Sequence, residues 1–283
     1  MSDTISRFIF DNSDVRGEHV RLEKSYQDIL SIHHYPPGVA NLLGEFLAAA
    51  SLLSATIKFE GALILQVRGD GQVPLIMAEA NSKQELRAIA RDANEAISHD
   101  FKALIGNGQL AMTIAPENGK PYQGIVSLDG DSLARCLEAY FQRSEQLATR
   151  VWLCADGEHA SGMLLQQLPS AKPDLERWEH LSTIAHTIKN EELLSLDVET
   201  LLYRLYHQDA VRLFDHKPLL ARCRCSRERV VQALISLGRE ELDDILAEQG
   251  QIETNCEFCN RLYQFNAGDI AGLFEQGSDL TRH

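Results

Sequence analysis

Four of the six cysteines in this 283-residue chain stand near its carboxy terminus as Cys223-Arg-Cys225 and Cys256-Glu-Phe-Cys259. Paired short spacings let two tight turns each present two sulfurs. Four thiolates at about 2.3 Å complete a tetrahedral Zn²⁺ shell with no open position for a substrate. The Cys-X-Cys half is unusual, because zinc knuckles ordinarily separate their sulfurs by two to four residues. Zinc is therefore the expected cofactor, with Cys223, Cys225, Cys256 and Cys259 as ligands; four unmetallated thiols are the alternative. Around them, residues 219–283 read as a small unit. Ser226 is placed to cap a helix reaching Leu237, EELDDILAEQ reads as an acidic second helix, and Tyr263 to Phe265 reads as a strand. So small a unit buries little and ordinarily needs a metal or disulfides to hold together.

The start of the chain has no basic stretch followed by an apolar one, and no apolar run is read as long enough to span a membrane. A cytoplasmic setting with no membrane partner is expected. In that reducing compartment clustered cysteines serve as metal ligands or redox sensors rather than structural disulfides. The net charge is −14, and residues 221 to 283 carry 7 basic against 11 acidic side chains. Phosphate contacts need clustered positive charge, so nucleic acid is not an expected partner.

The segment from Gly38 to Phe59 repeats Val39, Leu42, Leu43, Phe46, Leu47, Leu53 and Ile57 at helical intervals behind Pro36 and Pro37, and predicts a largely buried helix. Three hairpins follow: ALILQVRG and VPLIMAEA, GQLAMTIAP and YQGIVSL, and RVWLCAD and SGMLLQQL, each pair joined through a turn rich in Gly and Asp or Asn. A second helix is expected over about 132 to 148. The fold class is α+β, built largely on antiparallel sheet. LPSAKP at 168–173 breaks the pattern and places a domain boundary, giving units 1–170, 171–218 and 219–283. In the middle unit Leu175, Trp178, Leu181, Ile184 and Ile188 form one apolar stripe, and Leu201, Leu202, Leu205 and Tyr206 another. Either these are ordinary docked helices, or they make a connector that covers a surface of the first domain until released. Cys136 and Cys154 lie outside the cluster and read as small buried hydrophobes. His207 and His216 are candidates for replacing a sulfur in a Cys₃His shell, an arrangement that four suitably spaced cysteines disfavour.

The run RCRCSRERV … DDILAEQGQIETNCEFCNRLYQF resembles the redox switch of the heat-shock protein 33 family, the oxidation-activated chaperones. NLLGEFLAAASLLSATIKFEG and YQGIVSLDGDSLARCLEAYFQRSEQLATRVWL are similar to the same family, so the resemblance spans essentially the whole chain. It implies an ATP-independent holdase that is not an enzyme. An amino-terminal client-binding and dimerisation domain, a helical linker and a carboxy-terminal zinc-binding redox-switch module make up such a protein. It also implies that oxidation converts the ligands to two disulfides, Cys223–Cys225 and Cys256–Cys259. Zinc then leaves, switch and linker unfold, and the protein dimerises and captures unfolding clients.

Zinc keeps cysteines as thiolates, the form that attacks peroxides, so one centre would both fold the module and arm it. Arg222, Arg224, Arg227, Arg229 and Arg261 lie close in sequence and are expected to offset the anionic sulfurs. Disulfides inside each pair close tiny loops and would not tie the halves of the module together. Cys-X-Cys pairing is strained, so Cys256 and Cys259 are expected to oxidise first. Two other classes predict different behaviour. A thiol peroxidase or disulfide reductase using Cys256 and Cys259 would turn over with a reductant, and a nucleic-acid-binding zinc ribbon would need a basic face.

Overall fold

In the computed structural model the described residues are 3–11, 13–57 and 60–275. Lys58 and Phe59, the expected end of the first long helix, and residues 276–283 of the carboxy-terminal unit lie outside them. The chain divides into two compact units, Met1–Arg222 and Cys223–His283.

Two six-stranded sheets build the first unit. One joins the hairpin β1 (Thr4–Phe10) and β2 (Val15–Leu22) to a second hairpin, β8 (Thr149–Ala155) and β9 (Ala160–Gln167), through β2–β9 pairing. The other runs through β3 (Gly61–Gly69), β4 (Leu75–Asn81), β5 (Glu85–Arg91), β6 (Gly108–Pro116) and β7 (Tyr122–Val126), all antiparallel. The three expected hairpins are β3–β4, β6–β7 and β8–β9, and the architecture is α+β on antiparallel sheet. Helix α1 (Lys24–Leu30) follows β2, and the short α3 (Phe101–Ile105), capped by Asp100, precedes β6.

Helix α2 (Pro37–Thr56) packs on strands of both sheets and supplies the middle of the main core, with Leu43, Phe46, Leu47 and Leu53 beside Leu63, Leu65 and Leu164. Pro37 occupies the first turn, where its missing N–H costs nothing. At Gly44 the helix crosses so close to β8 and β9 that a Cβ would stand 2.7 Å from that of Ala155. In length and composition α2 would suffice to cross a membrane, which corrects the sequence reading that no run is long enough; here 83% of its apolar window is buried inside the fold. Helix α4 (Leu133–Tyr140), capped by Ser132, buries Leu133, Leu137 and Tyr140 as expected but is shorter than its periodicity predicts. A π-turn over Phe141–Glu145 ends it, and Gln146 reverses the chain in the left-handed region at φ 53°.

The opposite face of the first sheet is roofed by α5 (Leu175–Ala185, 11 residues), α6 (Asn190–Ser195, 6 residues) and α7 (Val198–Tyr206, 9 residues). Asp174 and Asp197 cap α5 and α7 through the amides of Arg177 and Thr200. A second apolar core forms here: Phe8, Phe10, Val15, Cys154, Met163 and Leu165 from the sheet meet Trp178, Leu181, Leu193, Leu201, Leu205 and Tyr206 from the helices. Leu175, expected in the buried stripe, is 64% exposed at the first position of its helix, where the chain is still arriving from solvent. Beyond α7 the chain returns as short strands: β10 (Val211–Leu213) and β11 (Lys217–Pro218) pair with β1, and β12 (Leu220–Ala221) runs parallel to β5.

The second unit holds α8 (Arg227–Leu237), α9 (Arg239–Gln249), the hairpin β13 (Ile252–Asn255) and β14 (Leu262–Phe265), and α10 (Ala267–Glu275). Ser226 caps α8 through the amide of Arg229. Among the described residues the core of this unit is six side chains, Leu234, Leu242, Ile252, Tyr263, Phe265 and Ile270. That is too little apolar surface to stabilise a fold unaided.

Candidate metal centre

Cys223 and Cys225 lie on the extended approach to α8, while Cys256 and Cys259 lie in the turn of the β13–β14 hairpin. Pairing of Asn255 with Leu262 leaves six residues to make that turn. The Cys256 amide donates to Arg261 O at 2.9 Å, and the Cys256 carbonyl accepts from the amides of Cys259 at 3.2 Å and Asn260 at 2.7 Å. Asn260 takes φ 58°, a conformation that Asn tolerates better than most residues. Both sulfurs of the hairpin are thereby aimed to one side, against the pair that precedes α8.

All four Sγ atoms lie within 4.8 Å of one another, and this is the group of ligand atoms able to hold a metal ion among the described residues. Two approaches run between the pairs, Cys223 to Cys256 at 3.6 Å and Cys225 to Cys259 at 3.4 Å. Sulfurs at about 2.3 Å from a tetrahedral centre stand about 3.8 Å apart, a spacing close to these separations, so the constellation suits zinc. His207 and His216 belong to the first unit and are not in the group. Cys136 and Cys154 are buried in the two cores of that unit.

Burial pushes the Cys223 thiol far up, and burial together with the neighbouring Cys225 raises Cys259. Cys225 goes the other way. Burial disfavours its charge, but the nearby Tyr263 hydroxyl and the thiols of Cys259, Cys223 and Cys256 outweigh this and bring it to about 7. Four sulfurs this close cannot all ionise against one another, so a cation is needed to hold all four as thiolates. The Tyr263 hydroxyl is buried with no partner of full hydrogen-bond geometry, and its pull on Cys225 makes it the outer-shell donor that metal-bound thiolates use. Sequence reading missed Tyr263, seeing only a strand residue.

The expected arginine halo is thinner than the sequence implies. The charge of Arg261 couples to Cys225 and Cys259. Arg227 instead lies over the Phe265 ring at 4.1 Å and pairs with Asp269 at 3.2 Å, and Arg229 donates to Arg224 O at 2.9 Å. Arg222 belongs to the first unit and pairs with Glu85 at 2.9 Å.

A sequence model of the family described as Hsp33 protein matches residues 3–266. The chain belongs to the Hsp33 family. Its relatives there include the 33 kDa chaperonin of Pseudomonas fluorescens, 54% identical with 100% of this chain and 98% of that protein covered. The 33 kDa chaperonin of Pseudomonas paraeruginosa is 51% identical over 100% of this chain and 99% of that protein. The Hsp33 fold recurs in the crystal structure of the 33 kDa chaperonin of Thermotoga maritima, with a TM-score of 0.84, 21% identity, and 99% of this chain and 100% of that one covered. A chaperone role follows from Hsp33 membership, as does the compatibility of the carboxy-terminal cysteine group with a zinc module.

Proposed function

We propose that this chain is a redox-regulated, ATP-independent holdase of the cytoplasm, without catalytic turnover, that binds unfolding proteins after oxidation and dimerises when activated. In this reading residues 1–170 hold clients and the dimer contact, 171–218 are a releasable cover, and 219–283 are the switch. The observation that carries it is the second apolar core of the first unit: a sheet face bearing Phe8, Phe10, Met163 and Leu165 is covered, among the described residues, by three short helices. Uncovering that face exposes the kind of contiguous apolar surface that binds unfolded chains.

Cys223, Cys225, Cys256 and Cys259 would hold zinc, which when bound supplies the charge that keeps them as thiolates. A thiolate attacks the peroxide oxygen, giving a sulfenic acid and releasing hydroxide that takes up a proton as water. The second thiol of the pair displaces a second water and closes the disulfide. The products are Cys256–Cys259 and Cys223–Cys225, neither of which joins the approach to α8 to the hairpin. A structural zinc site is worth roughly 10–16 kcal/mol, more than a six-residue core replaces, so the second unit unfolds. Cys223 follows β12 by two residues, so unfolding of the second unit puts a disordered chain directly after the strand that pairs with β5 of the second sheet.

The deciding experiment measures aggregation of a heat-unfolding client with reduced and peroxide-treated protein, with metal released to a chromogenic chelator followed in parallel. Suppression that appears together with metal release supports the switch. Equal suppression before and after oxidation, or peroxide consumed steadily with a reductant by a protein that stays folded, refutes it.

A further inference from the structure

His19 stands in the middle of β2, opposite Ser6 of β1 and Met163 of β9, and is 2% exposed. Its Nε2 is buried without a hydrogen-bond partner. Side chains alternate along a strand. Gly17, whose position is packed by the Phe8 ring, therefore puts His19 on the same face as Phe8 and Met163, the face roofed by α5–α7. The first turn of α7 closes over it: Asp197 and Glu199 line a cavity of about 290 Å³ with His19, Ser6, Arg21 and His216. Two more orphaned polar atoms border this cover. Arg21 donates through Nη1 to Ser195 O at 3.2 Å but leaves Nε unpaired, and Asp209 takes Arg177 at 2.6 Å on one oxygen while the other is buried and unpaired. Buried polar atoms are nearly always satisfied, so an interface holding three orphans is weaker than its apolar area implies.

We infer that His19 is a proton-sensitive latch: protonating its imidazole forces a charge into the closed interface between sheet and cover, and the cover opens more readily at mildly acid pH with all four thiols still reduced. Among the described residues the charged and titratable groups lining this cavity with His19 are Arg21, Asp197, Glu199 and His216. Arg21 on the same strand opposes the imidazolium. Asp197 on α7 favours it, but its carboxylate is already engaged by the amide and hydroxyl of Thr200 at 2.9 and 2.8 Å. Glu199 and His216 complete the ring, while β1 brings Thr4 and Ser6 and β9 brings Met163. Glu18 faces the other side of the sheet, with Arg7. Burial first, and then Arg21, hold His19 down to about 4, against 6.5 for a free imidazole. The closed state thus keeps its full stability above pH 6.5 and loses it as pH falls toward 4. Between pH 7.5 and 5.5 the opening equilibrium rises about tenfold by this linkage.

Both tryptophans of the chain, Trp152 and Trp178, lie at this interface, so their emission reports it directly. The test uses full-length, reduced, metal-loaded protein taken from pH 7.5 to 5.5 at constant ionic strength. Tryptophan emission and amide exchange in α5–α7 are read while released metal is assayed. A reversible red shift and about tenfold lower protection of the α5–α7 amides, with the intrinsic exchange rate at each pH divided out, are expected without metal release, and both are flat in His19→Gln and His19→Met. A wild-type protein indifferent to pH, variants that titrate as wild type does, or a shift that tracks metal release each overturns the latch. The inference rests on reading 171–218 as a releasable cover, and a peroxide arm at pH 7.5 separates the two. Release by peroxide but not acid leaves the oxidative reading standing without the latch, and release by acid but not peroxide does the reverse.

Discussion

The Tyr206 hydroxyl at the end of α7 donates to the main-chain oxygen of Leu181 in α5 at 2.9 Å, while its ring meets Phe10 of β1 edge-on at 4.8 Å between centroids. One side chain thus ties the cover to itself and to the sheet.

Tyr206→Phe keeps the ring contact and leaves the Leu181 carbonyl without this donor. A buried hydrogen bond contributes about 1 kcal/mol net, so the cover should open roughly five times more readily. Amide exchange in α5 and α7 of the reduced protein should accelerate by that factor, with the strands of the second sheet unchanged.

Gly17→Val tests the covered face from beneath. Its Cβ would overlap the Phe8 ring, which is fully buried and has no room to retreat except toward the helices. Overpacking of this kind costs about 1–3 kcal/mol. The variant should bind a hydrophobic dye and suppress client aggregation before any oxidation, and a variant as silent as the parent would show that this face is not the one that matters.

Peptide mapping by mass after limited peroxide exposure should find Cys256–Cys259 ahead of Cys223–Cys225. Sulfur separations of 3.6 and 3.4 Å also run between the pairs. Crosslinks of Cys223 to Cys256 or Cys225 to Cys259 would bolt the two halves of the module together instead of freeing them. Their dominance would defeat the proposed activation.

Glu18 offers a pH test of the body of the first unit. Its carboxyl is 2% exposed and bonded by Arg7 at 2.6 Å, yet burial outweighs Arg7 and Arg16 and raises it to about 7. An acid whose folded pKa exceeds its unfolded value of 4.5 binds an extra proton when folded, so stability declines as pH rises from 4.5 through 7, by at most about 3 kcal/mol. Glu18→Gln keeps an acceptor for Arg7 and should flatten that decline in thermal melts. An unchanged slope would assign the pH dependence elsewhere.

Strong local signals made much of this legible in sequence. The three hairpins announced themselves by alternation around Gly-containing turns, α2 by its run of Leu and Ala, and the sulfur cluster by spacing alone. What escaped was set by distant partners. TISRFIF and VRGEHVRL were unread as strands because Arg7, Glu18 and Arg16 interrupt them, and their charges settle only once β1, β2 and β9 align. The early end of α4 is a tertiary outcome, since Glu138 on that helix accepts from the Val151 amide of β8 at 2.9 Å. Tyr263 gained its place beside Cys225 from the hairpin register rather than from any motif.

Helices of 11, 6 and 9 residues are below the length that holds together in water alone, about 12–15 residues. Once lifted off, α5–α7 should melt into a tether, and they can recoil only onto a vacant sheet. A bound guest would therefore wedge the lid ajar by occupancy, and restoring the thiols would not by itself evict it.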